Sequence, residues 1–282
     1  MIGLLALLAC TAPDDTGLAA ADPETRAVVM STLSFGRRAD DGTAWGFDVD
    51  GRVSDAGDDE GCGHADLVDA DGLAGIDSAF SGMVPALEAT EAGAVEGLVQ
   101  DSLLNGELLL LVEVSGVDDP LDDDCVDVRI LRGSGTPMIG TDGGMLDGQT
   151  FALAPDAEPA VIECVPLVAG SVRAGPFALT LDFQVLDVAL AFHMTDASLR
   201  LDLSEDGRTG WGYFGGSVPT ADILVIVDEG DLADIADLVR GLVNAAADLE
   251  PNDEDTCDAL SVVFEYGATE AFIYEGAPTP GS

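Results

Sequence analysis

The sequence predicts an α+β protein, a mainly antiparallel β-sheet with about four helices packed on it, in a single globular domain over residues 26–275. Three observations carry that prediction. From Pro176 to Phe214 apolar and polar residues alternate with a period of two, the signature of strands with one buried face. The runs inside that stretch are separated by links so short that they must join neighbours in a meander. Outside it, four segments repeat apolar residues at helical spacing, and a one-faced sheet needs such a cover.

Taken in order, Arg26 to Phe35 reads as a first strand, with Val28, Val29, Met30, Leu33 and Phe35, and Ala44 to Val49 reads as a second. After Asp71-Gly72 the residues Leu73, Ile76, Phe80, Met83, Val84 and Leu87 mark a first helix, bent at Pro85. Thr90 is an N-cap for the second, which carries Val95, Leu98, Val99 and Leu103 on one side and stops at Asn105-Gly106. Leu108 to Val114 is a nearly continuous apolar strand. It pairs with Val126 to Leu131 across a loop, Val117 to Asp124, that holds five aspartates. Thr150 to Leu153 and Val161 to Val168 are strands leading into the meander.

The meander reads as four strands: Phe177 to Val185, Val188 to Thr195, Ala197 to Leu203 and, after the turn Ser204-Glu205-Asp206-Gly207, Arg208 to Phe214. Its predicted buried face includes Phe177, Leu179, Leu181, Phe192, Met194, Leu199, Leu201 and Leu203. Thr220 or Asp222 then opens a short helix through Val227. Asp231 caps a longer one, with Leu232, Ile235, Leu238, Val239, Leu242, Val243 and Ala246 on its inner face, and Pro251 ends it. Leu260 to Tyr266 and Ala271 to Tyr274 read as a closing hairpin, and residues 276–282 as a loose tail.

Ten basic residues stand against 54 acidic ones, a formal net charge of −44 in a chain whose apolar fraction is that of a folded protein. Such a polyanion is repelled by nucleic-acid phosphate and by anionic headgroups, so neither is expected as a partner of its body. All ten basic residues are arginine. The absence of lysine excludes Schiff-base, pyridoxal-phosphate and P-loop lysine chemistry.

Met1 to Ala9 is almost wholly apolar and ends in Leu7-Leu8-Ala9-Cys10, followed by a polar run through Pro13 and Gly17. This resembles a bacterial lipoprotein signal, although no basic residue precedes the apolar stretch. The resemblance implies a signal peptide over residues 1–9, lipidation of Cys10, a flexible tether over 10–25 and attachment to a membrane by the acyl chains. Thr11 after the cysteine favours, by the same resemblance, the outer membrane, on its periplasmic or cell-surface face. Later segments fall short of the ~20 apolar residues of a membrane span. With Cys10 acylated, Cys62, Cys125, Cys164 and Cys257 remain, an even number for an oxidising compartment. Three pairings are possible. Closure of each half of the chain on itself favours Cys62 with Cys125 and Cys164 with Cys257.

Chemistry-bearing motifs are few. His64 sits beside Cys62 in an acidic loop and His193 on the mixed face of the meander. Neither a G-x-S-x-G elbow nor an H-E-x-x-H helix is present, and Asp15-Thr16-Gly17 lies in the tether. No catalytic residue is therefore named. Asp48-Val49-Asp50-Gly51 resembles the middle of a calcium loop, with Gly46 and Gly57 where the end ligands should stand, and Asp69-Ala70-Asp71-Gly72 with Asp77 is a similar fragment. Asp48, Asp50, Asp55, Asp69, Asp71 and Asp77 are thus candidate metal ligands, with calcium the expected ion. Trp211, Tyr213 and Phe214, among glycines on the last strand of the meander, are candidate ligand contacts.

These readings converge on an exported, acidic, disulfide-containing lipoprotein with a noncatalytic binding or structural role. The alternative is a carrier for lipid or another apolar ligand in a cavity under the curved sheet. A hydrolase with an acidic site comes third.

Overall fold

The computed structural model describes residues 24–58, 62–155, 157–185, 188–229, 236–253 and 256–274. The signal stretch, Cys10, the tether up to residue 23 and the tail over 276–282 lie outside them, as do Asp231, Leu232 and Ile235. In chain order the elements are β1 (Glu24–Phe35), β2 (Leu67–Val68), β3 (Ala74–Ile76), α1 (Ala79–Glu88), α2 (Val95–Asn105), β4 (Leu110–Val117), β5 (Asp122–Ser134) and β6 (Gln149–Leu153). They continue with β7 (Ala160–Val168), β8 (Ser171–Val185), β9 (Val188–Leu203), β10 (Thr209–Pro219), α3 (Thr220–Glu229), α4 (Ala236–Ala246), β11 (Leu249–Pro251) and β12 (Cys257–Tyr274). The predicted antiparallel sheet and its four helices are present.

The sheet closes on itself, which the sequence reading did not include. Antiparallel pairing runs from β1 to β4, β5, β7, β8, β9, β10 and β12, and β12 pairs back to β1 with Met30 opposite Ala268 and Leu33 opposite Tyr266. Closure leaves the apolar face no edge to expose. Inward residues of successive strands meet in register: Val28 faces Val112, Val112 faces Ile130, Val172 faces Leu201, and Phe214 lies between Leu199 and Phe264. All of these are buried. An eight-stranded barrel is just wide enough for side chains to fill. Here Phe214 stacks on Phe264 with ring centroids 5.2 Å apart, and Phe35 continues the row to Phe80 of α1. Room for Tyr266 comes from Gly212, where a Cβ would meet the Arg200 carbonyl oxygen at 1.9 Å; the Tyr266 hydroxyl donates to that same oxygen at 2.8 Å.

Beyond Val29, β4 parts from β1, and α2 takes its place. Gln100 accepts from the Leu33 N–H at 2.8 Å and donates to the Ser31 carbonyl, and Glu96 accepts from the Phe35 N–H at 2.8 Å, so two side chains stand in for a missing strand. Because the strands alternate in direction, Glu24 and the turns from Val117 to Asp122, Val168 to Ser171 and Leu203 to Thr209 gather at one end. The segment after Phe35, the start of α3 and the start of β12 gather at the other.

Five local expectations need correction. Thr90 is not the N-cap of α2, which begins at Val95 with Ala94 as its cap, because a 3-10 turn over Glu91–Ala94 intervenes. The runs Val188–Thr195 and Ala197–Leu203 are one strand, β9: Asp196 has φ +49° and the register with β10 shifts there, so a bulge inserts one residue, flips the parity and keeps Met194 and Ala197 both inward. The meander therefore has three strands. Leu260–Tyr266 and Ala271–Tyr274 are likewise one strand, β12, held extended through Gly267 by β1 on one side and β10 on the other. Leu73 and Ile76 do not belong to the first helix, since Ala74–Ile76 is β3, paired with β2, and α1 begins at Ala79. Ala44 to Val49 makes only single bridges, Arg38 to Ala44 and Phe47 to Asp77.

The cysteine pairing also differs from the expectation, with Cys62 bonded to Cys257 and Cys125 to Cys164. Halves of the chain do not close on themselves, because β5 lies beside β7, with Val126 opposite Val165, and β12 beneath the segment that carries Cys62.

Candidate functional site, an acidic cleft beside the barrel

Between β1 and α1 the chain leaves the barrel and lies over the outer face of β10 and β12. Gly36 starts the excursion by donating to the Val263 carbonyl at 2.8 Å. Trp45, Phe47 and Val49 then pack on Tyr213 and Val263. Past this apolar patch the sequence Asp48-Val49-Asp50-Gly51-Arg52 reverses direction, with Gly51 at φ +76° where a side chain would be strained. Asp48 and Asp50 both accept from the Arg52 N–H, at 2.9 and 3.0 Å.

Asp77 closes the turn from the other side. Its backbone bridges Phe47, and its Oδ2 accepts from the Val49 N–H at 2.7 Å. Carboxylate oxygens of Asp48, Asp50 and Asp77 come within 4.8 Å of one another, with Asp77 buried and the other two exposed. Asp50 and Asp77 border a cleft of about 320 Å³, lined also by Arg38, His64, Asp66 and Asp248, and Asp48 stands beside them outside its lining. Ser54 and Ser78 line it too, 4% and 3% exposed, and among the described residues neither hydroxyl has a hydrogen-bond partner.

Charge is poorly compensated in this cleft. Burial pushes the Asp77 carboxyl up to about 8, against the pull of the Val49 N–H, and the carboxylates of Asp50, Asp248 and Asp66 add to the rise. Burial also raises Asp66, which accepts the Ser54 N–H at 2.6 Å and shares a hydrogen bond with Asp77. Asp248 is pushed up to about 6 by burial, although the Ser261 hydroxyl and N–H hold its two oxygens at 2.6 and 2.8 Å. Such a cleft can hold a cation or exchange a proton.

Of the six candidate metal ligands, the fold brings together Asp48, Asp50 and Asp77 and separates the rest. Asp69 is buried in the β2–β3 turn, where its Oδ1 accepts from the N–H groups of Asp71 and Leu73. Asp71 points to the arginines, 3.2 Å from Arg200 and 3.9 Å from Arg173. Asp55 is exposed, its carbonyl taken by the Asp58 N–H. In the five-aspartate stretch Asp119 and Asp123 take N–H groups of the same stretch, those of Cys125 and Asp118 holding Asp123 below its usual range, and Asp122, already in β5, accepts from the Ala169 N–H.

The three candidate ligand contacts also part company. Phe214 is inside the barrel, Tyr213 is buried under Trp45, and Trp211 is exposed. Arg200 lies 5.8 Å from the rings of Trp45 and Trp211 and 5.9 Å from that of Tyr213, with Asp202 at 3.1 Å. His64 borders the cleft, while His193 pairs with Asp222 at 2.8 Å.

Sequence reasoning missed Asp66, Asp248, Ser54 and Ser78. Asp248 had a signal, an acid between Ala247 and Leu249 at the end of an apolar run; the others had none. No protein-family model, curated protein or solved structure matches this chain.

Proposed function

We propose that this chain is an exported, acidic lipoprotein, held to the outer membrane by lipid on Cys10, with a noncatalytic binding role exercised at the acidic cleft. One observation carries the reading. The described chain enters the barrel at Glu24, beside Val117, whereas the cleft lies near the opposite end, where Asp248 meets Ser261 at the start of β12. A tether attached at the first end would present the cleft away from the bilayer. The disulfides accord with an oxidising compartment. For the carrier alternative, the middle of the barrel is occupied by Phe214, Phe264 and Tyr266.

Fractionation tests the reading. The parent should pellet with membranes, and Cys10→Ser should appear in the soluble fraction or persist as uncut precursor. Identical fractionation and mobility of the two would overturn it.

A hydrolase is the second reading, favoured by the hydrogen bond between Asp66 and Asp77, since a protonated acid beside an ionised one suits general acid–base work. It requires that the protein turn over glycan or peptide mixtures and that Asp77→Asn abolish the turnover.

A further inference from the structure

We propose that Asp48, Asp50 and Asp77 bind one calcium ion at the mouth of the cleft. The inference rests on the reading that this cleft is the binding site, and it stands on two independent observations. The first is distance. Calcium–oxygen bonds of ~2.3–2.6 Å place two ligands of one ion at most about 5 Å apart. The three carboxylates meet that bound, all lying within 4.8 Å of one another. Two come from one turn and the third from a residue 27 positions after Asp50, so the arrangement is tertiary and not a by-product of local acidity.

The second observation is the pair of serines. Ser54 and Ser78 are more than nine-tenths buried, line the same cleft as Asp50 and Asp77, and leave both hydroxyls without a partner among the described residues. Buried hydroxyls are normally satisfied. The water shell of an ion at this place supplies partners for them, and ordered water bridging polar groups is a regular part of such sites. Asp69 also keeps a buried oxygen, Oδ2, without a partner, but among the described residues no group of three potential ligands forms around it. Asp119 and Asp123 take the N–H groups of their own loop, Asp69 those of its own turn, and Asp71 an arginine.

The donors are carboxylates and water, hard oxygen groups that suit calcium or magnesium. Magnesium demands a near-ideal octahedron at ~2.0–2.1 Å, whereas calcium accepts an irregular shell of six to eight oxygens. Two exposed carboxylates on one turn and a buried one from outside it, with water for the remainder, favour calcium.

The test uses the full chain as the Cys10→Ser variant, stripped with chelator and titrated with calcium chloride by calorimetry, with native mass spectrometry for stoichiometry. One calcium per chain is expected, with magnesium and sodium at matched ionic strength ineffective. Asp48→Asn and Asp50→Asn, both at exposed positions, should each weaken binding by roughly tenfold or more, as loss of a supporting group commonly does. Asp71→Asn should bind as the parent does. A melting curve in chelator shows that each variant is folded. Absence of stoichiometric binding, or equal affinity of the Asp48, Asp50 and Asp71 variants, would mean counter-ion association only and would overturn the site. Neither result alters membrane fractionation, so failure of the calcium site and failure of the anchored reading are separately visible.

Discussion

The Oδ2 atom of Asp77 accepts the Val49 N–H at 2.7 Å, and this one bond ties the Asp48–Gly51 turn to the residue that precedes the N-cap of α1, Ser78. In the absence of a cation, a buried carboxyl placed there for its geometry, among Asp50, Asp66 and Asp248, is held in its neutral form up to about pH 8.

That placement makes stability fall as pH rises. The Asp77 carboxyl keeps its proton to about 8 in the folded chain, while in the unfolded chain it loses it near the ordinary 3.8, so the folded state binds more protons between those values. The contribution is fully present below about pH 4 and is lost as pH passes through 8; Asp248, at about 6, acts with the same sign over a narrower range. In chelator, urea midpoints should therefore drop between pH 5 and pH 8.5. Asp77→Asn should flatten the drop and Asp71→Asn should not, since general repulsion in this acidic chain is common to both. Equal slopes for the two variants would contradict the assignment.

Leu201 faces the barrel interior and Asp202 the outside, where it meets Arg200 at 3.1 Å. Leu201→Asp buries a carboxylate among Leu199, Val172 and Phe214 and should unfold the domain, a cost of about 4 kcal/mol or more. Asp202→Asn weakens one ion pair at the barrel's outer face, keeps an oxygen acceptor and leaves Arg200 its contact with Asp71, so it should cost about 1 kcal/mol or less. Chemical denaturation monitored by far-ultraviolet circular dichroism separates the two.

Arg200 is the centre of the outer aromatic cluster. Arg200→Ala removes three ring contacts and the pairing of Asp71 and Asp202, so a loss of about 2 kcal/mol is expected, together with a change in fluorescence of Trp45 and Trp211. Calcium affinity should stay within about twofold, because Arg200 lies on the aromatic patch and not on the cleft.

Non-reducing peptide maps should recover Cys62 with Cys257 and Cys125 with Cys164. Loop closure over 195 and 39 residues contributes about 5 and about 4 kcal/mol in the chain-entropy picture, so replacing either pair with serine should lower the denaturation midpoint, the long one more. Loss of Cys62–Cys257 should also weaken calcium binding, since that bond anchors the excursion that carries Asp48 and Asp50.

Much of the local structure was legible in the sequence. Strands β1, β4, β5, β7 and β8 and helix α2 were readable because period and a glycine C-cap are local properties of the chain: Gly106 ends α2 with φ +84°, as Asn105-Gly106 predicts, whereas its N-cap is Ala94 and not Thr90. The breaks placed inside β9 and β12 were errors of parity and composition. A bulge at Asp196 and a glycine at 267 look like turns until the neighbouring strands are known to hold them extended.

What the sequence by itself determined is therefore the alternation that makes one face of each strand apolar, the four helices, the absence of lysine chemistry and the acidity that makes some carboxylates crowd. Tertiary structure alone decided that β12 returns to β1 and closes the barrel, that Cys62 meets Cys257, and that Asp77 joins Asp48 and Asp50 while Asp69 and Asp71 are drawn into a turn and an arginine cluster. The physical reason is the same in each case. Periodicity states which side of an element is buried, but which elements become neighbours depends on how all the apolar faces can be covered at once, and that is a property of the whole chain.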